Sequence, residues 1–183
     1  MDFTGAKAAL FCGASVLTYL RDEKPGLRWP GLWDLPGGGR EGEEGPEDCL
    51  LRELWEEFGL RLTLDRLVWR REFPSMVETG RVSVFFGGWL SREEVGQIRF
   101  GDEGQEWTLM PVEGFLGHPR AVPELQRRGL AAPTGRGLLA RAEPATGADR
   151  AVRSRRRAGG GLVHGAVPGA VLPHASAQGR RVH

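Results

Sequence analysis

An acidic segment bounded by glycines is the feature that most constrains the fold of this chain. Residues 38–60 have the sequence GGREGEEGPEDCLLRELWEEFGL. Gly45 followed by Pro46 is typical of a helix start, and Gly59 is typical of the position just past a helix end. Within the helix so bounded, three carboxylates lie at i, i+3 and i+4 and therefore share one face: Glu53, Glu56 and Glu57.

The opposite face of the predicted helix is apolar. Four residues recur at i, i+3, i+4 and i+7 and are predicted to pack on the core: Leu51, Leu54, Trp55 and Phe58. The crowded carboxylates cost stability unless a cation offsets them, and Arg52, four residues before Glu56, offsets only part of that charge. A hard divalent cation with oxygen ligands, Mg²⁺ or Mn²⁺, is the natural remaining partner.

The spacing of these residues resembles the Nudix box, whose pattern is G-x5-E-x7-R-E-U-x-E-E-x-G-U with U an apolar residue. An ordinary solvated acidic helix would explain neither the glycines nor the spacing. The resemblance implies the Nudix fold, an α+β architecture in which a mixed β-sheet is sandwiched between α-helices. Every fixed position of the pattern is met: Gly38, Glu44, Arg52, Glu53, Leu54, Glu56, Glu57, Gly59 and Leu60.

The same resemblance implies roles for the residues of the box. The ligands of Mg²⁺ or Mn²⁺ would be the carboxylates of Glu53, Glu56 and Glu57. Arg52 would hold a glutamate in place through a charge-assisted hydrogen bond. Gly38 and Gly59 would be structural, and Glu44 would be a secondary metal or salt-bridge position. The general base varies within the family, and Glu53 is one candidate for it.

Two further metal candidates lie outside these positions. Gly37 belongs to the glycine-rich loop that leads into the helix. Glu103 lies in the segment GDEGQEW, which is similar to the E-G-Q segment where MutT-type Nudix enzymes place an additional glutamate. Glu103 would then ligate metal or act as the base, and a surface acid without either role is the alternative.

The remaining pattern predicts strands and short helices. Residues 6–20 are predicted to form one long buried strand bent at Gly13, and residues 62–73 and 81–90 an antiparallel pair. Strand, helix and then strands again, without a regular βα repeat, favours α+β. The later segments are predicted as a loop at 91–104, a short strand at 106–110, a helical turn at 111–116 and a final helix at 122–128.

The composition of the chain changes near residue 131. Residues 1–130 hold every tryptophan, phenylalanine and tyrosine and are predicted to form a single Nudix domain. Residues 131–183 are rich in Ala, Gly, Arg and Pro and are predicted to be disordered or weakly structured. The basic run at 153–157 could bind nucleic acid or be a solvated tail, and a wrong reading frame is a third explanation for this segment.

The cysteines and the hydropathy narrow the class of protein. No apolar run is long enough to span a bilayer, and the first residues lack a basic-then-apolar signal segment. Cys12 and Cys49 have no Cys/His partner spacing, which favours reduced thiols over metal ligands. We therefore expect a cytoplasmic enzyme with a small-molecule nucleotide as its partner, acting as a monomer or a homodimer.

A looser resemblance concerns the substrate. The F-P after a strand, the E-G-Q-x-W segment and the closing A-V-P-E-L are similar to MutT-like enzymes over residues 5–128. This implies cleavage of a nucleoside triphosphate, ordinary or oxidised, to monophosphate and pyrophosphate. ADP-ribose or another nucleoside diphosphate linked to a moiety X is an alternative substrate, and a non-catalytic nucleotide-binding module is an alternative function.

Recognition of the base is the least specified part of this prediction. MutT-type enzymes that select 8-oxoguanine place an asparagine just before the final helix, where this chain has Ala121. Ala121 has no amide with which to bind a base edge. Four aromatic residues are candidates for stacking on the base, with core packing as the alternative: Trp29, Trp33, Phe73 and Phe86.

Overall fold

A seven-stranded mixed sheet runs through residues 2–131, the part of the chain that the computed structural model describes. The strand order is β3-β2-β1-β6-β5, with β4 beside β1 and β7 beside β2. The pair β1 and β6 is parallel, and the other pairs are antiparallel. The strands are β1 (Phe3–Cys12), β2 (Ser15–Leu20), β3 (Trp33–Asp34), β4 (Gly37–Gly39), β5 (Leu67–Pro74), β6 (Val82–Trp89) and β7 (Glu106–Pro111).

Helices cover both faces of this sheet. They are α1 (Pro46–Phe58), α2 (Arg92–Gln97), α3 (Val112–Leu116) and α4 (Pro123–Ala131), with one 3-10 turn at Leu64–Arg66. Neighbouring residues of β6 point to opposite faces, so that Phe86 packs in the core beneath α1 and Phe85 in the core beneath α3 and α4. The predicted α+β architecture, a mixed sheet between helices, is confirmed.

The segment predicted as one long strand is a hairpin. Strands β1 and β2 pair antiparallel, with Cys12 opposite Ser15. Gly13 adopts φ +58 at the reversal, a conformation that glycine reaches without steric cost. The prediction placed the break correctly and the topology wrongly, because an unbroken apolar run does not distinguish a bent strand from two strands that fold back on each other.

The segment 91–104, predicted as a loop, contains α2. Ser91 caps this helix, since its Oγ accepts a hydrogen bond from the Glu94 backbone N–H at 3.1 Å and Glu94 Oε2 accepts one from the Ser91 N–H at 2.6 Å. A six-residue helix is too short to show a clear apolar period, and the capping box was its sequence signal. The predicted strand at 62–73 begins only at Leu67, because the 3-10 turn precedes it.

The C-terminal part of the chain was predicted as a weakly structured tail, residues 131–183. Apart from Ala131, which ends α4, that tail lies outside the described residues. Within residues 2–131, no helix is both long and apolar enough to cross a membrane.

Candidate active site

Helix α1 has the bounds that the sequence predicts. Gly45 precedes it in an extended conformation, Pro46 is its first residue, and Gly59 ends it in the left-handed region at φ +63. Its buried residues are Cys49, Leu50, Leu54, Glu57 and Phe58. The predicted apolar stripe is therefore partly wrong, because the buried face is rotated toward Leu50. Trp55 is 48% exposed, with the Arg61 guanidinium 4.0 Å from its ring centroid.

Arg52 is the centre of a charged network on the exposed face of α1. Its guanidinium binds both oxygens of Glu44, through Nε at 3.1 Å and Nη2 at 2.8 Å. Nη1 donates to Glu53 at 3.0 Å and to Glu56 at 2.9 Å, and Nη2 also donates to the Gly39 carbonyl at 2.8 Å. These bonds lower the pKa of Glu44 to about 2. Arg52 thus ties three carboxylates and strand β4 to one helix.

Glu57 lies on the other side of this network and is only 4% exposed. Its Oε2 accepts a hydrogen bond from the Gly37 N–H at 3.0 Å. Burial raises the pKa of Glu57 to about 7, against the opposing effects of Lys7 and the Gly37 N–H. Burial also raises the pKa of Glu53, although Arg52 opposes the shift. Two neighbouring carboxyls are therefore held against ionisation, a condition that a bound cation would relieve.

Two glycines allow β4 to lie between β1 and α1. Gly37 has φ +113, and a Cβ added to it would lie 2.2 Å from the Ala6 carbonyl oxygen. A Cβ on Gly38 would lie 2.4 Å from Glu53 Oε1. Gly37 has no room for a side chain because it would meet backbone, whereas a side chain at Gly38 would displace the Glu53 carboxylate that lies against it.

The residues around β4 fit a divalent cation by their chemistry. Carboxylate and carbonyl oxygens are the ligands that Mg²⁺ and Mn²⁺ prefer. Between residues 2 and 131, however, no group of three His, Cys, Asp or Glu side chains is arranged so that it could hold a metal ion. Arg52 Nη1 lies between Glu53 and Glu56, while Glu57 faces Gly37. Arg52 Nη1 binds one oxygen of Glu53 and one oxygen of Glu56, so each carboxylate has a second oxygen that could bind a cation.

Glu103 lies in the loop before β7. It lines a cavity of about 200 Å³ together with Tyr19, Arg21, Asp22, Lys24, Leu27 and Gly104. A second space, a cleft bordered by Gly38 and Gly39, is not lined by Glu103. Glu103 and Gly38 therefore line different spaces, although Arg21 lines both of them.

The cleft beside Gly38 and Gly39 has a volume of about 230 Å³ and a cationic lining. Asp34 is buried in its wall, where Oδ2 accepts bonds from Lys7 Nζ at 3.0 Å and Arg21 Nη1 at 2.7 Å. Among residues 2–131, Asp34 is the only carboxylate in the lining, against four basic residues: Lys7, Arg21, Arg28 and Arg128. The excess of positive charge makes this cleft suited to an anionic ligand.

The aromatic residues predicted to bind substrate are distributed differently from expectation. Phe86 is 2% exposed in the core beneath α1, so the prediction that it stacks on a base is wrong. Trp33 and Phe73 do not line the cleft; Trp33 packs edge-on against His118, and Phe73 packs against Phe85. Trp29 does line the cleft and adopts φ +52, which is unusual for a residue other than glycine.

The basic residues of the cleft and Asp34 were missed by the sequence analysis. One signal was available, because Lys7 is the only charged residue in the otherwise buried strand β1. Arg128 had no such signal, since arginine near the end of a helix is ordinary on a solvated surface. Its burial follows from the packing of α4 on the sheet and is invisible in the local pattern.

The fold and the site together define a class of protein: a mixed sheet between helices, with a glycine-rich strand leading into an acidic helix whose carboxylates surround an arginine. The NUDIX domain model matches residues 13–131, and the chain belongs to that family. Members of the family are pyrophosphohydrolases that act on phosphoanhydride bonds.

Matches to individual relatives are short. The chain is 51% identical to a MutT-like protein from Streptomyces ambofaciens over 37 residues, which covers 20% of this chain and 24% of that protein. The chain matches about a quarter of the length of the curated relatives. These similarities support the family and leave the activity of the whole protein as a proposal.

Solved structures extend the likeness over the fold. A MutT protein from Methanosarcina mazei Go1 has a TM-score of 0.56 at 22% identity, covering 69% of this chain and 89% of that one. A bifunctional NMN adenylyltransferase/ADP ribose pyrophosphatase from Francisella tularensis, complexed with AMP and an Mn ion, has a TM-score of 0.54 at 20% identity, covering 71% and 41%. At such identities the comparison confirms the Nudix fold alone.

Proposed function

We propose that this chain is a metal-dependent pyrophosphohydrolase that cleaves a nucleoside triphosphate, ordinary or oxidised, to monophosphate and pyrophosphate. The observation that carries the proposal is the meeting of two features at β4. On one side lie the carboxylates of α1 around Arg52. On the other side lies the cation-lined cleft that Gly38 and Gly39 border. A substrate with a charged phosphate chain can therefore contact both.

The metal ligands in this proposal are oxygen atoms near β4. They are the carboxylates of Glu53, Glu56 and Glu57 and the carbonyl of Gly37, with Glu103 as a further candidate. When bound there, Mg²⁺ or Mn²⁺ supplies charge neutralisation for the pyrophosphate and lowers the pKa of the attacking water. The bifunctional protein from Francisella tularensis, which shares the fold and is complexed with an Mn ion, supports a divalent cation as the cofactor.

The protein's own contribution is positioning and charge. Lys7 and Arg21, held by Asp34, present fixed positive charge to the phosphate chain, which needs little covalent help from the protein. Arg52 orients Glu53 and Glu56 through Nη1. Glu53 is the first candidate for the base that takes the proton of the attacking water, and Glu103 the second.

The test is hydrolysis by single Glu-to-Gln variants of the box. Glu53→Gln, Glu56→Gln and Glu57→Gln should each lower kcat about a hundredfold or more with Mg²⁺ or Mn²⁺ present. The matched control is Glu43→Gln, because Glu43 is exposed and lies two residues before Gly45, the N-cap residue of α1. Its activity should match that of the unmodified chain, and EDTA should abolish turnover in every sample. Retained activity in the three box variants would refute the assignment of ligands.

The second candidate is a nucleoside diphosphate linked to another moiety, such as ADP-ribose. The similar fold of a protein described as an ADP ribose pyrophosphatase favours it. A panel of nucleoside triphosphates, ADP-ribose and dinucleoside polyphosphates separates the two by product. Pyrophosphate from a triphosphate supports the first, and turnover of ADP-ribose alone supports the second. If a folded sample hydrolyses none of these compounds, the remaining explanation is a non-catalytic module that binds nucleotide.

A further inference from the structure

Arg128, on α4, is a buried cation that has no anionic partner within residues 2–131. The residue is 6% exposed, and no carboxylate oxygen of the described residues lies within 4.0 Å of its guanidinium. Its hydrogen bonds go to neutral oxygens: Nη1 donates to Ser83 Oγ at 3.0 Å, and Nη2 to the Pro74 carbonyl at 2.8 Å. The ring of Phe73 lies 5.0 Å from Cζ. Burial of a charge with neutral partners alone is costly for folding.

Burial also acts on the pKa of this side chain. It lowers the pKa of Arg128, and Glu124 opposes the shift only from a distance at which no ion pair forms. In a buried arginine with an ion-pair partner the pKa is raised instead, as it is for Arg21 beside Asp34. Arg128 therefore carries its charge at a place where the described residues stabilise that charge only weakly.

In the described part of the chain, the cleft that Arg128 lines has more cationic than anionic side chains. Lys7 and Arg21 share the single carboxylate of Asp34. Arg28 lies with its guanidinium 5.2 Å from the Trp29 ring centroid and has no carboxylate within ion-pair distance among residues 2–131. A ligand that fills this cleft should therefore carry lone pairs or negative charge, because cationic side chains outnumber carboxylates in the described lining.

We propose that Arg128, next to the Ser83 hydroxyl, is a specificity-determining residue that binds an acceptor-only group on the part of the substrate that is not attacked. This rests on the proposed function, since Gly38 and Gly39 border the same cleft, so that a substrate with its phosphates at α1 extends toward Arg128. An acceptor-only group has lone pairs facing the guanidinium and no N–H or O–H. The planar guanidinium fork binds two such atoms at once.

Two chemical sources of such a group fit the cleft. One is the O6 and N7 edge of guanine, the pair of acceptors that arginine binds most often in nucleic acids. The other is an additional phosphate on the sugar. Adenine would place a 6-amino donor against the guanidinium and bind less well. Oxidation at C8 turns N7 of guanine into an N–H donor, so the guanine source also predicts that dGTP is preferred over 8-oxo-dGTP.

The test measures equilibrium binding in EDTA, so that it does not depend on hydrolysis. Two matched pairs of probes are titrated calorimetrically into the full chain: GMP against AMP, and ADP-ribose 2′-phosphate against ADP-ribose. The chain should bind the first member of at least one pair about tenfold tighter. Arg128→Gln should bring that Kd ratio close to one. The control is Arg127→Gln, the exposed neighbour paired with Glu124, which should leave the ratio unchanged.

A lysine variant separates the two sources. Arg128→Lys keeps the charge but loses the fork, so it should retain a preference for the additional phosphate and lose a preference for guanine. Because each ratio compares two ligands on the same sample, a partly unfolded variant changes both Kd values alike and leaves the ratio interpretable. Equal ratios in the unmodified chain and Arg128→Gln would overturn the proposal, as would no preference in either pair. If Arg128→Gln brings the Kd ratio close to one but the unmodified chain hydrolyses no nucleotide, the proposed function alone is overturned.

Discussion

Removing the charge of Asp34 should destabilise the fold more than any surface substitution of the same chemistry. The Asp34 side chain is 2% exposed, and its Oδ2 accepts from Lys7 at 3.0 Å and from Arg21 at 2.7 Å. Its Oδ1 accepts from the Leu35 N–H at 2.7 Å. In Asp34→Asn, one of these donors must face the new amide N–H₂, and both cations lose the charge that offsets their burial.

The magnitude follows from the two charge-assisted bonds. Each is worth about 1.5–3 kcal/mol, and breaking a buried ion pair costs about 3–5 kcal/mol. We expect Asp34→Asn to lose about 4 kcal/mol, which lowers the urea midpoint by about 2 M for a typical m-value. Tryptophan fluorescence during urea unfolding measures this, since Trp33 precedes the substituted residue.

The control and the salt dependence make the test specific. Asp22→Asn removes the partner of Lys24, whose side chain is 67% exposed, and should cost less than about 1 kcal/mol. The loss in Asp34→Asn should persist in about 1 M salt, because salt screens exposed pairs far more than buried ones. A loss below about 1 kcal/mol, or one that salt removes, would refute the view that Asp34 holds Lys7 and Arg21 through a buried pair.

Two further predictions concern groups with shifted pKa values. The pKa of Glu44 is lowered in the folded state to about 2, so its stabilising effect is complete above the ordinary pKa near 4.5 and is lost as the pH falls toward 2. Glu44→Gln should therefore lower the free energy of unfolding at pH 7 by about 1–3 kcal/mol. In thermal unfolding, the variant should also lose less stability than the unmodified chain between pH 4.5 and 2. Identical pH profiles of the two proteins would contradict this. Burial raises the pKa of Cys49 to about 12, so at pH 8 its thiol should resist iodoacetamide until the chain unfolds, and mass spectrometry that finds Cys49 modified in the native protein would contradict the burial.

Helix α1 could be predicted from the sequence because its determinants are local. The glycine and proline at its start, the glycine at its end and the spacing of its carboxylates all lie within 23 residues of one another. What the local pattern could not fix was the rotation of the helix on the sheet. The sheet contacts the helix along Leu50, Leu54 and Phe58, because α1 packs against β1 and β4. As a result, Trp55 is exposed and Glu57 is buried.

The cleft could not be predicted because its parts come from distant segments. Lys7 meets Asp34 across 27 residues, and Arg128 meets Ser83 across 45. The same limit explains the aromatic residues. Period two along β6 places Phe85 and Phe86 on opposite faces, but a sheet covered by helices on both faces buries both residues. Type and periodicity therefore could not separate an aromatic residue that lines a cleft from one that fills a core.

The electrostatics of α1 link its stability to its proposed chemistry. Arg52 satisfies Glu44, Glu53 and Glu56, which explains how three crowded carboxylates are tolerated by the protein alone. Glu57 is outside the reach of that guanidinium, and no cation of the described residues lies within ion-pair distance of it. The charge that the network leaves uncompensated is therefore the one beside Gly37, at the border between the helix and the cleft. This is where a substrate's phosphates and an added cation would meet, so a carboxyl whose pKa is raised by burial lies at the proposed centre of reaction.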